Sequence, residues 1–193
     1  MTNGLLVMKF GGTSMGSAER ICIAADICRE QRALRPVLAV VSAMAGVTDL
    51  LLNTLRHAEG GDEARIETNV EQLRERHLGT CRELGIEESA GRGVRDLIAD
   101  FARLANGMLM LGDRPPRSVD EAIAIGERLT ALMLAEYLES KKIPARAING
   151  ADVIVTDAVF GNATPIMEAT RKKAQEMVKR LLDAGTIPVV TGF

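Results

Sequence analysis

Lys9, Gly11 and Gly12 carry the clearest chemistry in this chain. They fall in Lys9-Phe10-Gly11-Gly12-Thr13-Ser14, directly behind the apolar run Leu5-Leu6-Val7-Met8. A short buried strand that ends in a lysine and two glycines, then leads into a helix, is suited to holding phosphate. Lacking a Cβ, the two glycines let the main chain approach a ligand and adopt positive φ. Their N–H groups, with those that open the next helix, can point at an anion. Lys9 at the strand end supplies a mobile point charge. The pattern is not a Walker A loop, because no Gly-Lys-Ser/Thr occurs in the chain. Two adjacent glycines also differ from the Gly-x-Gly-x-x-Gly dinucleotide fingerprint.

Two further segments have the right composition to shape a site. Ser42-Ala43-Met44-Ala45-Gly46-Val47-Thr48 is a loop of small residues between a predicted strand and helix, and Thr48 is a competent N-cap for that helix. Gly126-Glu127-Arg128-Leu129 lies inside another predicted helix. A glycine there costs roughly 1 kcal/mol relative to alanine, so it implies a close approach by a neighbour. If Glu127 lay on a solvated face it would be an ordinary i,i+4 partner, worth ~0.5 kcal/mol or less. Arg128 reads as a surface or structural residue. Asp152 and Asp157 lack ligand spacing and read as turn or cap residues. His57 and His77 sit on helices without partnered cysteines or carboxylates, so neither is assigned as a catalytic base. No protein metal site is expected.

The elements that position these residues follow from hydrophobic periodicity. Leu5 to Met8 reads as a buried strand. Ser17 caps the next helix, with Glu19 in its first turn, and that helix ends before Pro36. Val37 to Val41 is a second apolar strand, which implies a parallel crossover. A short helix through Leu51, Leu52 and Leu55 follows. Two longer helices, through Val70 to Leu84 and Val94 to Met108, are broken by Gly85 to Gly93 and form a helical hairpin inserted at about 62–110. Gly112 to Pro116 is a turn, and Ser118-Val119-Asp120-Glu121 matches a capping box that opens the helix carrying Glu127. Ala145 to Ile148, Val153 to Val155 and Ile187 to Thr191 are strand candidates. Glu168 to Ala184 is an amphipathic helix closed by Gly185. The result is an α/β protein: a three-layer αβα sandwich with a mainly parallel sheet, covered on both faces. Ligands in such sheets gather at the carboxyl ends of strands, where Lys9 and Ser42 lie.

Composition narrows the function. At 193 residues and 47% hydrophobic, the chain can bury the core of one domain. A net charge of −2 gives no electrostatic case for nucleic acid. With 3% aromatic residues it also has few platforms for stacking bases. Cys22, Cys28 and Cys81 have no metal or disulfide spacing, and their odd number suits a reducing compartment. With no signal peptide or membrane-length apolar run, a soluble cytoplasmic protein without a membrane partner is expected.

Lysine, phenylalanine, two glycines, threonine and serine after an N-terminal strand resemble the opening signature of aspartate kinases, in the amino-acid kinase superfamily. The resemblance runs from about Leu5 to Phe193. It implies the amino-acid kinase fold, incomplete at its C-terminus, with residues 1–193 forming the N-terminal portion of the catalytic domain. It also implies transfer of the ATP γ-phosphate to the β-carboxylate of L-aspartate, the first step towards lysine, threonine and methionine. Mg²⁺ would be held through the nucleotide phosphates. By the same resemblance Lys9, Phe10, Gly11 and Gly12 hold nucleotide phosphate, with Lys9 catalytic. Ser42 and Thr48 line the amino-acid pocket, and Glu127 binds the substrate ammonium. The complete enzyme is expected to be a homo-oligomer. The family's Gly-Arg-Gly-Gly-Ser-Asp motif, its adenine-binding segment and its ACT domains have no counterpart here, so the isolated chain is expected to have little or no kinase activity. Two alternatives stand beside this: a kinase of another amino acid or small acid, and a non-catalytic fragment that associates with a full-length kinase.

Overall fold

The computed structural model describes residues 4–192. Its frame is a four-stranded sheet of β1 (Leu6–Phe10), β2 (Val37–Val41), β3 (Ala145–Ile148) and β4 (Ile187–Thr191), in the spatial order β1-β2-β4-β3. Every pair is parallel. Phe10 is in register with Val41, Val41 with Thr191, and Ile148 with Val190. All four carboxyl ends therefore emerge at one edge, as a parallel sheet requires.

Seven α-helices connect and cover the strands among the described residues: α1 (Ala18–Arg32), α2 (Val47–Glu59), α3 (Glu63–Leu84), α4 (Glu87–Leu111), α5 (Pro116–Ser140), α6 (Gly150–Val153) and α7 (Met167–Asp183). None is long and apolar enough to cross a membrane. Alternate residues divide the sheet into two faces. Met8, Phe10, Ala39, Val41, Ala147 and Val189 turn to one face and join the main core with α1 and α5, on which α2, α3 and α4 are stacked. Ile148, Val190 and Leu38 turn to the other, where Val178, Leu181 and Leu182 of α7 form a smaller apolar cluster. The three layers follow from this division.

Several expectations need correction. β1 is not a buried strand: it lies at the sheet edge, and Val7 on the α7 side is 55% exposed because α7 covers β3 and β4 but does not extend over β1. Cover on that second face is therefore incomplete. Val153 closes α6 instead of opening a strand, and the chain beyond it forms only a single antiparallel bridge, Thr156 to Pro165. α4 begins at Glu87, so Gly91 and Gly93 lie within it, and the break is Gly85 alone (φ 69°) with Ile86 as N-cap. α5 begins at Pro116, before the expected capping box. Proline suits a first helical position because its missing N–H is not needed there. Ser17 does cap α1, accepting from the Arg20 N–H at 3.3 Å.

Candidate functional site

The carboxyl edge brings three segments together. β1 runs through Lys9 into Gly11, and residues Gly12–Met15 form one turn of 3₁₀ helix. Ser42, just past β2, donates its N–H to the Phe10 carbonyl at 3.0 Å, and Ala45 donates to the Gly12 carbonyl at 3.1 Å. The loop that starts at Ser42 is thereby stitched to the glycine turn. Its other side meets α5: a Cβ on Gly126 would lie 3.0 Å from the Ala43 Cβ, 3.1 Å from Leu51 Cδ1 and 3.2 Å from Val47 Cγ1. This is the close approach for which the helix-interior glycine is needed.

The two glycines of the turn serve different needs, and neither has positive φ. Gly11 is extended (φ −77°, ψ 172°). A Cβ on Gly12 would sit 3.0 Å from the Ala43 carbonyl oxygen, so packing against the loop excludes a side chain there. A Cβ on Gly11 would meet nothing within 4 Å. Open space at Gly11 is room for an incoming group. The N–H groups of Gly11, Gly12 and Thr13, which open the 3₁₀ turn, donate to no acceptor among the described residues. A row of unsatisfied main-chain donors at a sheet's carboxyl edge is an anion cradle in its chemistry.

The other predicted residues are distributed around this cradle. Lys9 is exposed and lies on the face of the sheet opposite α5, so its charge reaches the rim only through its long stem. Phe10 buries its ring in the main core, which leaves only its main chain for a ligand. Ser42 and Thr48 are half-buried. Thr48 is not the cap of α2: Gly46 holds that position in the left-handed region (φ 77°), one that strongly favours glycine. Free of capping, the Thr48 hydroxyl stands in the first turn of the helix. Glu127 is only 6% exposed, which rules out a solvated helix face; burying a carboxylate is costly unless a partner compensates. Arg128 is a structural residue, paired with Glu121 at 3.1 Å.

Sequence reasoning missed a second joint at the same edge. The Gly150 N–H donates to Thr191 Oγ1 at 2.7 Å, and a Cβ on Gly150 would sit 2.8 Å from the Thr191 carbonyl oxygen. The end of β4 is thus locked to the start of α6. Its only sequence signal is Asn149-Gly150 directly after a strand, and Asn149 caps α6 through the Ala151 N–H. The loop beyond α6 is held against the start of α5, where the Gly161 N–H donates to Asp120 Oδ2 at 2.7 Å.

The remaining titratable groups take structural roles. N–H groups of Thr164 and Val159 donate to the Asp157 carboxylate and hold its pKa below the usual range, which makes it a turn residue. His57 does have a carboxylate neighbour, contrary to expectation: Asp62 lies 3.5 Å away across the turn that follows α2. Burial pushes the Cys28 thiol up to about 12 and the Cys81 thiol to about 11, so both act as apolar packing groups. No cluster of three or more His, Cys, Asp or Glu side chains converges among the described residues.

Known proteins resemble this chain in sequence and in overall fold. Residues 4–193 match the model of the amino acid kinase family. The chain belongs to that family. Its curated relatives include an aspartokinase of Chlamydia trachomatis, 32% identical over 188 residues, and aspartokinase 3 of Arabidopsis thaliana, 32% identical over 194 residues. Each alignment takes in 97% of this chain but only 39% and 33%, respectively, of the relative. Escherichia coli aspartokinase III, solved in complex with aspartate and ADP, superimposes with a TM-score of 0.88 at 25% identity, over 99% of this chain and 41% of that one. The chain thus spans between a third and two fifths of the length of these amino acid kinases.

Proposed function

We propose that this chain forms the phosphate-cradling and amino-acid-holding part of an aspartate kinase, which transfers the γ-phosphoryl group of ATP to the β-carboxylate of L-aspartate to give 4-phospho-L-aspartate and ADP. The observation that carries it is the row of unsatisfied N–H groups from Gly11 to Thr13, stitched to the loop beginning at Ser42 at the carboxyl edge of the sheet. The aspartokinase relatives, which align over nearly the whole chain, favour aspartate as the acceptor. The same reading gives the complete enzyme a place in lysine, threonine and methionine synthesis. A cytoplasmic homo-oligomer is part of it, and three free cysteines suit that reducing compartment.

Phosphoryl transfer asks the protein mainly for position and charge. Main-chain N–H groups held by the 3₁₀ turn need no reorganisation when negative charge builds on the transferring oxygens, the arrangement in which electrostatic stabilisation is most effective. Lys9 adds a full positive charge on a stem long enough to follow those oxygens. Ser42 and Thr48 offer hydroxyls at the two ends of the loop. Glu127, shielded from water, pairs with the substrate ammonium more strongly than an exposed carboxylate would. Magnesium, which neutralises phosphate charge, enters on the nucleotide, and the described residues build no cage for it.

The test is a complete kinase carrying these residues, assayed for ADP release with a panel of amino acids and small acids. Phosphorylation of aspartate is expected; preference for another acid would replace the substrate, and no phosphoryl transfer to any would remove the proposal.

A further inference from the structure

Peptide groups of β1, β2 and β4 stand in one hydrogen-bonded row along the carboxyl edge of the sheet. The Phe10 carbonyl accepts from the Ser42 N–H at 3.0 Å, and the Val41 carbonyl accepts from the Gly192 N–H at 3.0 Å. The Val41 carbonyl and the Ser42 N–H belong to one planar peptide, so the entry to the Ser42 loop is bonded from both neighbouring strands. At one end of the row, the Phe10 carbonyl shares its peptide with the Gly11 N–H of the cradle. At the other end, the Gly192 N–H shares its peptide with the Thr191 carbonyl.

The Thr191 hydroxyl closes that second end. β3 leaves the ladder after Ile148, the partner of Val190, because Asn149 turns the chain into α6. Gly150 is buried, and its N–H opens a helix, where no intrahelical acceptor exists. Thr191 Oγ1 takes that N–H at 2.7 Å. Packing closes around the same peptide: a Cβ on Gly150 would lie 2.8 Å from the Thr191 carbonyl oxygen, and one on Gly192 would lie 2.6 Å from Val40 Cγ1. The Thr191–Gly192 peptide is thus clasped between α6 and β2.

We propose that Thr191 is a positioning residue of the amino-acid pocket. By holding Gly150, its hydroxyl fixes the Thr191–Gly192 peptide, and the Gly192–Val41 bond carries that constraint to the Val41–Ser42 peptide, from which the Ser42 side chain projects. The inference rests on the aspartate kinase reading, in which Ser42 lines the pocket. Gly11 lies one peptide further along the row, so the amino acid is affected more than the nucleotide.

The test uses a complete kinase carrying these residues. Thr191→Val keeps the shape of the side chain but leaves the buried Gly150 N–H without an acceptor. It should raise the Michaelis constant for aspartate about threefold to tenfold, the worth of one hydrogen bond, while the constant for ATP and kcat hold within about twofold. Thr191→Ser keeps the acceptor and should restore the aspartate constant to within about twofold of the unmodified enzyme. In the whole ¹⁵N-labelled chain, Thr191→Val should shift the Ser42 amide signal and leave that of Gly107, within α4, in place. A folded Thr191→Val enzyme with an unchanged aspartate constant overturns the proposal, as do equal rises in both constants, a Thr191→Ser enzyme as impaired as Thr191→Val, or an unmoved Ser42 signal. An unmodified kinase that does not phosphorylate aspartate removes the kinase reading and this inference with it, so the two failures are distinct. Should Thr191→Val not fold, amide exchange of Gly150 in the unmodified chain decides: exchange slowed about a hundredfold or more supports the clasp, and unprotected exchange overturns it.

Discussion

Gly126 and Ala43 meet with no room between them: a Cβ on the glycine would lie 3.0 Å from the Cβ of the alanine. Through this contact α5 holds one side of the loop that begins at Ser42, while hydrogen bonds from Ser42 and Ala45 to the Phe10 and Gly12 carbonyls hold the other. The loop's shape is therefore set by packing on both sides, and Glu127 follows directly after the contact.

Two glycine substitutions should move stability in opposite directions. Gly107 lies inside α4 with nothing within 4 Å of its would-be Cβ, so Gly107→Ala should stabilise the chain by about 0.5–1 kcal/mol. Gly126→Ala gains the same helix propensity but must push aside Ala43, Val47 and Leu51, and overpacking of this kind costs about 1–3 kcal/mol. Urea midpoints measure both. A stabilised Gly126→Ala chain would mean that the contact is loose.

Glu127→Gln keeps the shape of the side chain and removes its charge. In a complete kinase the Michaelis constant for aspartate should rise roughly tenfold to a hundredfold, the worth of a hydrogen bond to a charged group. The constant for ATP should hold within about twofold, being set by other residues. Equal rises in both would place Glu127 outside the amino-acid pocket.

His77 makes stability fall in mild acid. It is fully buried; its Nδ1 lies 2.8 Å from the Leu73 carbonyl, and its Nε2 has no partner. Burial, with Arg76 nearby, lowers its pKa from 6.5 to about 4 in spite of the Leu73 bond, which favours the charged form. Because the folded-state pKa is depressed, the unfolded chain takes up a proton first as pH drops below 6.5. The penalty grows until about pH 4. Between pH 7 and 5 this amounts to about 2 kcal/mol. Comparing urea unfolding at the two pH values in the unmodified chain and in His77→Leu isolates this contribution, which the variant should lack.

Lys9→Ala should leave unfolding unchanged within about 0.5 kcal/mol, since the side chain is exposed. In a complete kinase it should lower kcat roughly a hundredfold to a thousandfold, the range for losing one charge-stabilising donor. A fall confined to the Michaelis constant for ATP would make Lys9 a binding residue alone.

Much of this architecture was legible because hydrophobic runs are bounded by chemistry. Strands β2, β3 and β4 follow the apolar runs residue for residue, and Ser17 caps α1 as its type and place suggest. The failures have physical causes. Thr48 is a good cap, but Gly46 two residues earlier takes a left-handed backbone that only glycine adopts easily, so α2 starts sooner. The Ser118 capping box lost to Pro116, which is pre-shaped for a helix start. Val153 to Val155 has strand propensity, yet Asn149 captures the Ala151 N–H and turns the chain into α6. At the candidate site, residue types pointed to the glycine turn and to Glu127. They did not separate Gly12, which packing requires, from Gly11, whose Cβ position is open, because that distinction depends on where Ala43 lies.

The most direct measurement is a crystal structure of a complete kinase carrying these residues, with a non-hydrolysable ATP analogue, magnesium and aspartate. The β- and γ-phosphate oxygens should lie within hydrogen-bonding distance of the amides of Gly11, Gly12 and Thr13 and of Lys9 Nζ, with the aspartate ammonium on Glu127. Terminal phosphate oxygens bound elsewhere, with the glycine turn left to solvent, would contradict it.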